Sequence, residues 1–166
     1  MSRGRGGGVA DGREMLVAAP DDVTVAYWSE QRSQLRQSET QRSVLTNYVL
    51  TIAAAVSGFV IQQHFRLQTL PLSVLVVLTG VYGAVSAAKY HERASYHLGQ
   101  ARALTRVLVQ SGALGDNDAV LEQVRLVHYQ QYPRLSRLRL HWLWTGLHLG
   151  VAAYGLVLVV LTALEG

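Results

Sequence analysis

The feature that most constrains this chain is a pair of uncharged apolar stretches, residues 43–61 and 70–88, separated by only the eight residues QQHFRLQT. Each stretch holds 19 residues and lacks Asp, Glu, Lys, Arg and His. As helices rising 1.5 Å per residue they are about 28 Å long, close to the ~30 Å hydrocarbon core of a bilayer. The connection is too short to cross back, so the two are expected to form an antiparallel membrane hairpin. A third block, residues 143–164, runs 22 residues with no Asp, Glu, Lys or Arg and a single histidine, His148. It is long enough to span with some tilt. The expected fold class is therefore all-α: an integral membrane protein with three transmembrane helices, hairpin plus C-terminal span, and cytoplasmic amphipathic helices.

Charge sets the expected orientation. Of 15 basic residues only Arg66 lies in the hairpin connection, while the other 14 precede residue 43 or fall between Lys89 and Arg139. The positive-inside rule then places the N-terminus and residues 89–142 in the cytoplasm, with residues 62–69 and the C-terminus outside. The net charge of +4 is read as topology, and no nucleic-acid partner is expected. The absence of cysteine excludes disulfides, thiolate metal sites and cysteine nucleophiles.

Taken in order, residues 1–20 are Gly-rich and of mixed charge, with too few apolar side chains to offset the entropy of ordering, and are expected to be a disordered tail. No apolar signal region appears before residue 43, so the first span is expected to stay as an anchor. Residues 21–42 read as a cytoplasmic helix running into that span, with Asp21 or Asp22 as its cap and with Tyr27 and Trp28 packing on a second helix. Thr69 and Pro71 are expected to open the second span. Beyond Lys89, the spacing of Ala94, Leu98, Ala101, Thr105 and Leu108 predicts an amphipathic continuation, ended by Gly112 or Gly115. Asn117 or Asp118 then caps another helix bearing Val120, Val124 and Val127, giving an expected helical hairpin over 89–142. Arg134, Arg137 and Arg139 followed by Trp142 and Trp144 mark a second membrane edge.

Small residues three or four apart let helix backbones approach closely in lipid, where burial of apolar surface between helices supplies little driving force. The helix-packing candidates are Ala54, Gly58, Gly80, Gly83, Ala84 and Ala87, with Gly146 and Gly150 forming a GxxxG motif in the third block. Asn47, Thr51, Ser57 and His148 are the intramembrane polar candidates; interhelical hydrogen bonding is the plain reading, pore lining or proton sensing the functional one. The densest polar cluster joins Arg42 with Lys89, Tyr90, Glu92, Arg93, Tyr96 and His97. It reads either as charges paired among themselves where a helix leaves the bilayer or as a gating or ligand site. No catalytic, cofactor-binding or metal motif occurs: the six histidines form neither HxxxH nor HExxH, and GxSxG, P-loop and GxGxxG are absent. An enzyme is not expected, and no cofactor.

The basic, aromatic-containing segment AYWSEQRSQLRQSETQR entering a two-span hairpin, followed by KYHERASYHLGQARALTRVL, resembles the small bacterial two-transmembrane SLATT-type proteins. That resemblance covers residues 26–108 and implies a membrane effector of nucleotide-signalled defence systems, residing in the bacterial inner membrane. The third apolar block is an addition to the pattern. The expected function is a non-enzymatic, homo-oligomeric effector or channel-like module controlled by its cytoplasmic helices, with a cytoplasmic protein or nucleotide signal as partner. The alternative is a membrane-anchored scaffold whose cytoplasmic helical hairpin recruits a partner protein.

Overall fold

The computed structural model describes residues 20–113, 117–133 and 139–165, and every regular element among them is a helix. Of the expected tail all but Pro20, and also Gly115, Arg134 and Arg137, lie outside the described residues. Four α-helices follow one another: α1 (Pro20–Gln62), α2 (Leu70–Gln110), α3 (Asn117–Gln131) and α4 (Leu140–Glu165), with one 3-10 turn at Leu67–Thr69. Helices α1, α2 and α4 are long and apolar enough to cross a membrane. In lipid a helix satisfies its own backbone polar groups, which is why uncharged stretches of this length take that form.

Helices α1 and α2 do not stop at the ends of their apolar halves. Each continues as one rod of about 60 Å through its charged half, at 43 and 41 residues. The two pair antiparallel along this length: Trp28 Nε1–H donates to Thr105 Oγ1 at 3.0 Å, Gln31 Oε1 meets His97 Nδ1 at 2.7 Å, and Arg93 donates to Gln34 Oε1 at 3.3 Å. Trp28 thus packs on a second helix, as its position in the sequence suggests. The partner of residues 89–110 is the first half of α1 rather than α3, whose described residues are all exposed. The reason is the face α2 presents, where Ala94, Ala101 and Leu108 are buried.

Those three residues belong to a longer series. Ser73, Gly80, Ala87, Ala94, Ala101 and Leu108 recur every seven residues and all are buried, so one seam runs the whole of α2. A strict seven-residue repeat keeps a seam facing its partners only if the helices supercoil left-handedly. Because most of its members are small, the neighbouring backbones come close. Helix α4 answers with His148, Gly155 and Thr162, again seven apart, alongside Ala152 and Leu158. Helix α2 is therefore central, with α1 and α4 packed on it.

The turns follow from local chemistry. His64 and Phe65 both take positive φ, 52° and 54°, after the last turn of α1, and Phe65 N–H bonds back to Val60 O at 3.3 Å. This bend returns Phe65 onto the core cluster of Ala53, Val76 and Leu158. Thr69, expected to cap α2 with its side chain, instead donates its hydroxyl to Arg66 O at 2.8 Å and is buried. Pro71 does sit in the first turn of α2. Gly112, at φ 79°, ends α2 in a Schellman arrangement: Ala113 N–H reaches Leu108 O and Gly112 N–H reaches Val109 O, both at 3.1 Å.

Candidate functional site

Within the apolar halves the seam is closed by glycines that leave no room for a side chain. A Cβ on Gly80 would overlap the backbone of Ala152, one on Gly83 the imidazole of His148, and one on Gly155 the backbone of Val77. Two polar contacts fix α4 against the hairpin. Thr46 Oγ1 donates to Arg42 O at 2.9 Å, so it accepts from Nε2–H of His148 at 3.1 Å, and Nδ1 of that ring faces Gly83 without a partner. Near the other end Thr162 Oγ1 donates to Leu158 O at 2.8 Å and lies 3.2 Å from Ser73 Oγ, which is then the donor between them. His148 is fully buried, hydrogen-bonded to another helix at the top of the apolar segment.

Where the apolar halves give way to the charged ones, α1, α2 and α4, with Tyr129 of α3, line a cleft of about 660 Å³. Arg42 of α1, Arg139 at the entry to α4, His91 of α2 and His141 of α4 line it, with Glu39 as the acidic group. The guanidinium of Arg42 lies 5.0 Å above the Trp144 ring, and the residue is only 8% exposed. Its Nε–H has no acceptor, and neither does Trp144 Nε1–H. The rings of His91 and His141 stack at 4.0 Å and 8°. Burial first, then the positive charge of His141, Arg42 and Arg139, holds the His91 imidazole below its usual range. Among the described residues neither Arg42 nor Arg139 has a carboxylate within ion-pair distance.

A third feature is a groove of about 570 Å³ between the apolar halves of α1 and α4. Ala53, Ala54, Ser57 and Gly58 form one wall and Leu147, Gly150, Val151 and Tyr154 the other. Ser57 is 5% exposed and its hydroxyl has no partner. A Cβ at Gly58, Gly146 or Gly150 would meet nothing. The small residues therefore divide into two sets. Gly80, Gly83, Ala84 and Ala87 are buried within the chain, whereas Ala54, Gly58, Gly146 and Gly150 are exposed. The GxxxG pair is on the outer face of α4; the close approach to α2 is made by His148, Ala152 and Gly155, which lie on the opposite side of that helix.

The polar cluster expected around Arg42 and 89–97 comes apart in space. Lys89 pairs with Glu92 in solvent, where such a pair contributes little. Tyr96 accepts from Gln100, while Arg93 and His97 reach glutamines of α1 instead of pairing within α2. Tyr90 is half-buried beside Lys89. Of that cluster Arg42 alone enters the cleft; of its companions there, Arg139 is read from the sequence as part of an arginine edge, whereas His91 and His141 are not marked as site residues. Their signal was weak because they come from three separated segments: only the charge density at each apolar boundary marked the region. Asn47 and Thr51 are exposed on α1 rather than turned inward. Among the described residues no group of three or more His, Asp or Glu is placed to hold a metal ion.

The fold and these surfaces define a class, a three-helix bundle built to cross a membrane with a long charged two-helix extension at one end. No protein-family model matches the chain, and neither does any curated protein or solved structure.

Proposed function

We propose that the chain is a non-enzymatic inner-membrane protein of bacteria that self-associates through the α1–α4 face and acts as an effector or channel-like module governed by its charged extension. The observation that carries this reading is one exposed stripe of α1. Asn47, Thr51, Ala54 and Gly58, spaced four, three and four residues apart, share a face that no other described part of the chain covers. An asparagine and a threonine turned toward lipid are unfavourable, and small residues beside them invite close approach of another helix. A second copy supplies both the polar partner and the missing wall. The unpartnered Ser57 hydroxyl at the edge of the same face adds to the case.

The chain lacks cysteine, so a single Gly150→Cys variant gives an unambiguous test. Oxidative cross-linking in liposomes should yield a covalent dimer, and Gly58→Leu or Asn47→Leu in that background should suppress it. A monomer throughout refutes self-association. Ion flux from the same liposomes tests the channel-like activity, and vesicles that stay tight in the assembled state refute that part alone.

A specific observation favours a second reading. Val120, Val124 and Val127 form an apolar stripe on α3 that is more than half exposed. In a membrane-anchored scaffold this stripe receives a partner protein, and deletion of residues 112–132 should then abolish recruitment while leaving the spans intact.

A further inference from the structure

We propose that the cleft at the junction of the apolar and charged halves binds a phosphate-bearing anion, gripped by Arg42 and Arg139 with His91 and His141 closing one side. This inference does not rest on self-association. Its basis is an imbalance of charge in a partly dry place. Arg42, at 8% exposed, has lost most of its hydration, and a single aromatic face at 5.0 Å replaces only part of it. Buried charge is ordinarily paired with an opposite charge, and the unsatisfied Nε–H of Arg42 shows where a further acceptor is missing. The Glu39 carboxylate lines the cleft but lies beyond ion-pair distance of both arginines.

The ligand class follows from the donors. Two arginine forks present several N–H groups in planes, a geometry that fits a tetrahedral oxyanion with several oxygens better than a single carboxylate. Two stacked imidazoles, which repel when both are protonated, become compatible with charge once an anion lies beside them. At about 660 Å³ the cleft takes a phosphate together with part of the group that carries it. It also lies at the level where the apolar stretches end, the depth of lipid headgroups, so the phosphate can come from an anionic lipid or from a soluble compound.

The full-length protein, reconstituted in nanodiscs, separates these sources. One arm adds inorganic phosphate to phosphatidylcholine discs; the other replaces part of the phosphatidylcholine with phosphatidylglycerol. A ligand that binds the folded state alone raises the unfolding temperature with concentration. A rise in the first arm identifies a soluble phosphate, and a rise confined to the second identifies a lipid headgroup. In the responding arm Arg139→Gln and Arg42→Gln should weaken apparent affinity about tenfold or more, the loss expected for one charge-assisted contact. Arg102→Gln, an exposed arginine of α2 outside the cleft, should leave it unchanged. Because Arg139 is exposed, its variant remains folded even if Arg42→Gln does not. The proposal is overturned if neither arm responds, if chloride at equal ionic strength does the same, or if Arg139→Gln behaves as Arg102→Gln.

Discussion

Replacing Gly80 with alanine tests the seam at its tightest point. The added Cβ would lie 2.8 Å from Ala152 Cα and 2.9 Å from Ala152 Cβ, whereas ordinary contact begins near 3.4 Å, so α2 and α4 must part by at least about 0.6 Å. Both opposing groups belong to backbone or to its first carbon, and neither can rotate away. A gap of that size forfeits a quarter to a half of each contact across the seam. The neighbours that share it are Gly83 against His148 and Gly155 against Val77. Overpacking of this kind costs about 1–3 kcal/mol, against which alanine recovers about 0.5–1 kcal/mol through its better helix propensity. Gly99→Ala is the matched control: it lies in the same helix, where an added Cβ meets nothing, and should gain that propensity term alone. The two variants should therefore differ by about 2 kcal/mol, or about thirtyfold in the folded-to-unfolded ratio. Reversible unfolding in mixed micelles, followed by tryptophan fluorescence, reads the difference directly. Equal stability of the two would show that α2 and α4 do not meet at Gly80, and the close-packed seam would have to be abandoned.

Three further outcomes are expected. Thr162→Val keeps shape but removes the acceptor for Ser73, and should cost about 0.5–1.5 kcal/mol in the same unfolding assay; Ser73→Ala combined with it should add little, since both remove one contact. His64→Gly relieves a positive φ in a residue with a side chain and should stabilise by about 1 kcal/mol; a loss instead would mean that the ring has a role in the turn. Because the folded state holds His91 below its usual pKa of 6.5, the unfolded chain takes up that proton first, and stability present at pH 7.5 should fall as pH drops toward 5. The groups facing it are Glu39 and Arg42 of α1 and Tyr129 of α3, with Arg139 and His141 at the start of α4, and His91→Gln should flatten the thermal profile over this range. A slope unchanged in that variant would assign the titration elsewhere.

Several features could be read from the residues without coordinates. The three apolar stretches, their boundaries and the helical class follow from length and charge alone, because a bilayer accepts so few backbone solutions. A glycine end to α2 was legible as Gly112 or Gly115, and the positive φ falls on Gly112. Other parts were not. GxxxG at Gly146 and Gly150 is a motif for close packing, yet it does not say which helix approaches, and among the described residues none does. The seven-residue repeat from Ser73 to Leu108 was present in the sequence but runs through both apolar and charged halves, so reading those halves separately divides it.

The sequence by itself thus determined how many helices are long and apolar enough to cross a membrane, since that depends on local hydrophobicity and charge. The tertiary structure alone decided which faces meet. It put His148 against Thr46, turned Asn47 and Gly58 outward, and drew Arg42, His91 and His141 into one cleft. The physical reason is that helix contact in such a bundle is set by rotation about each axis. That rotation follows from the fit of small residues on several helices at once, and no single stretch contains it.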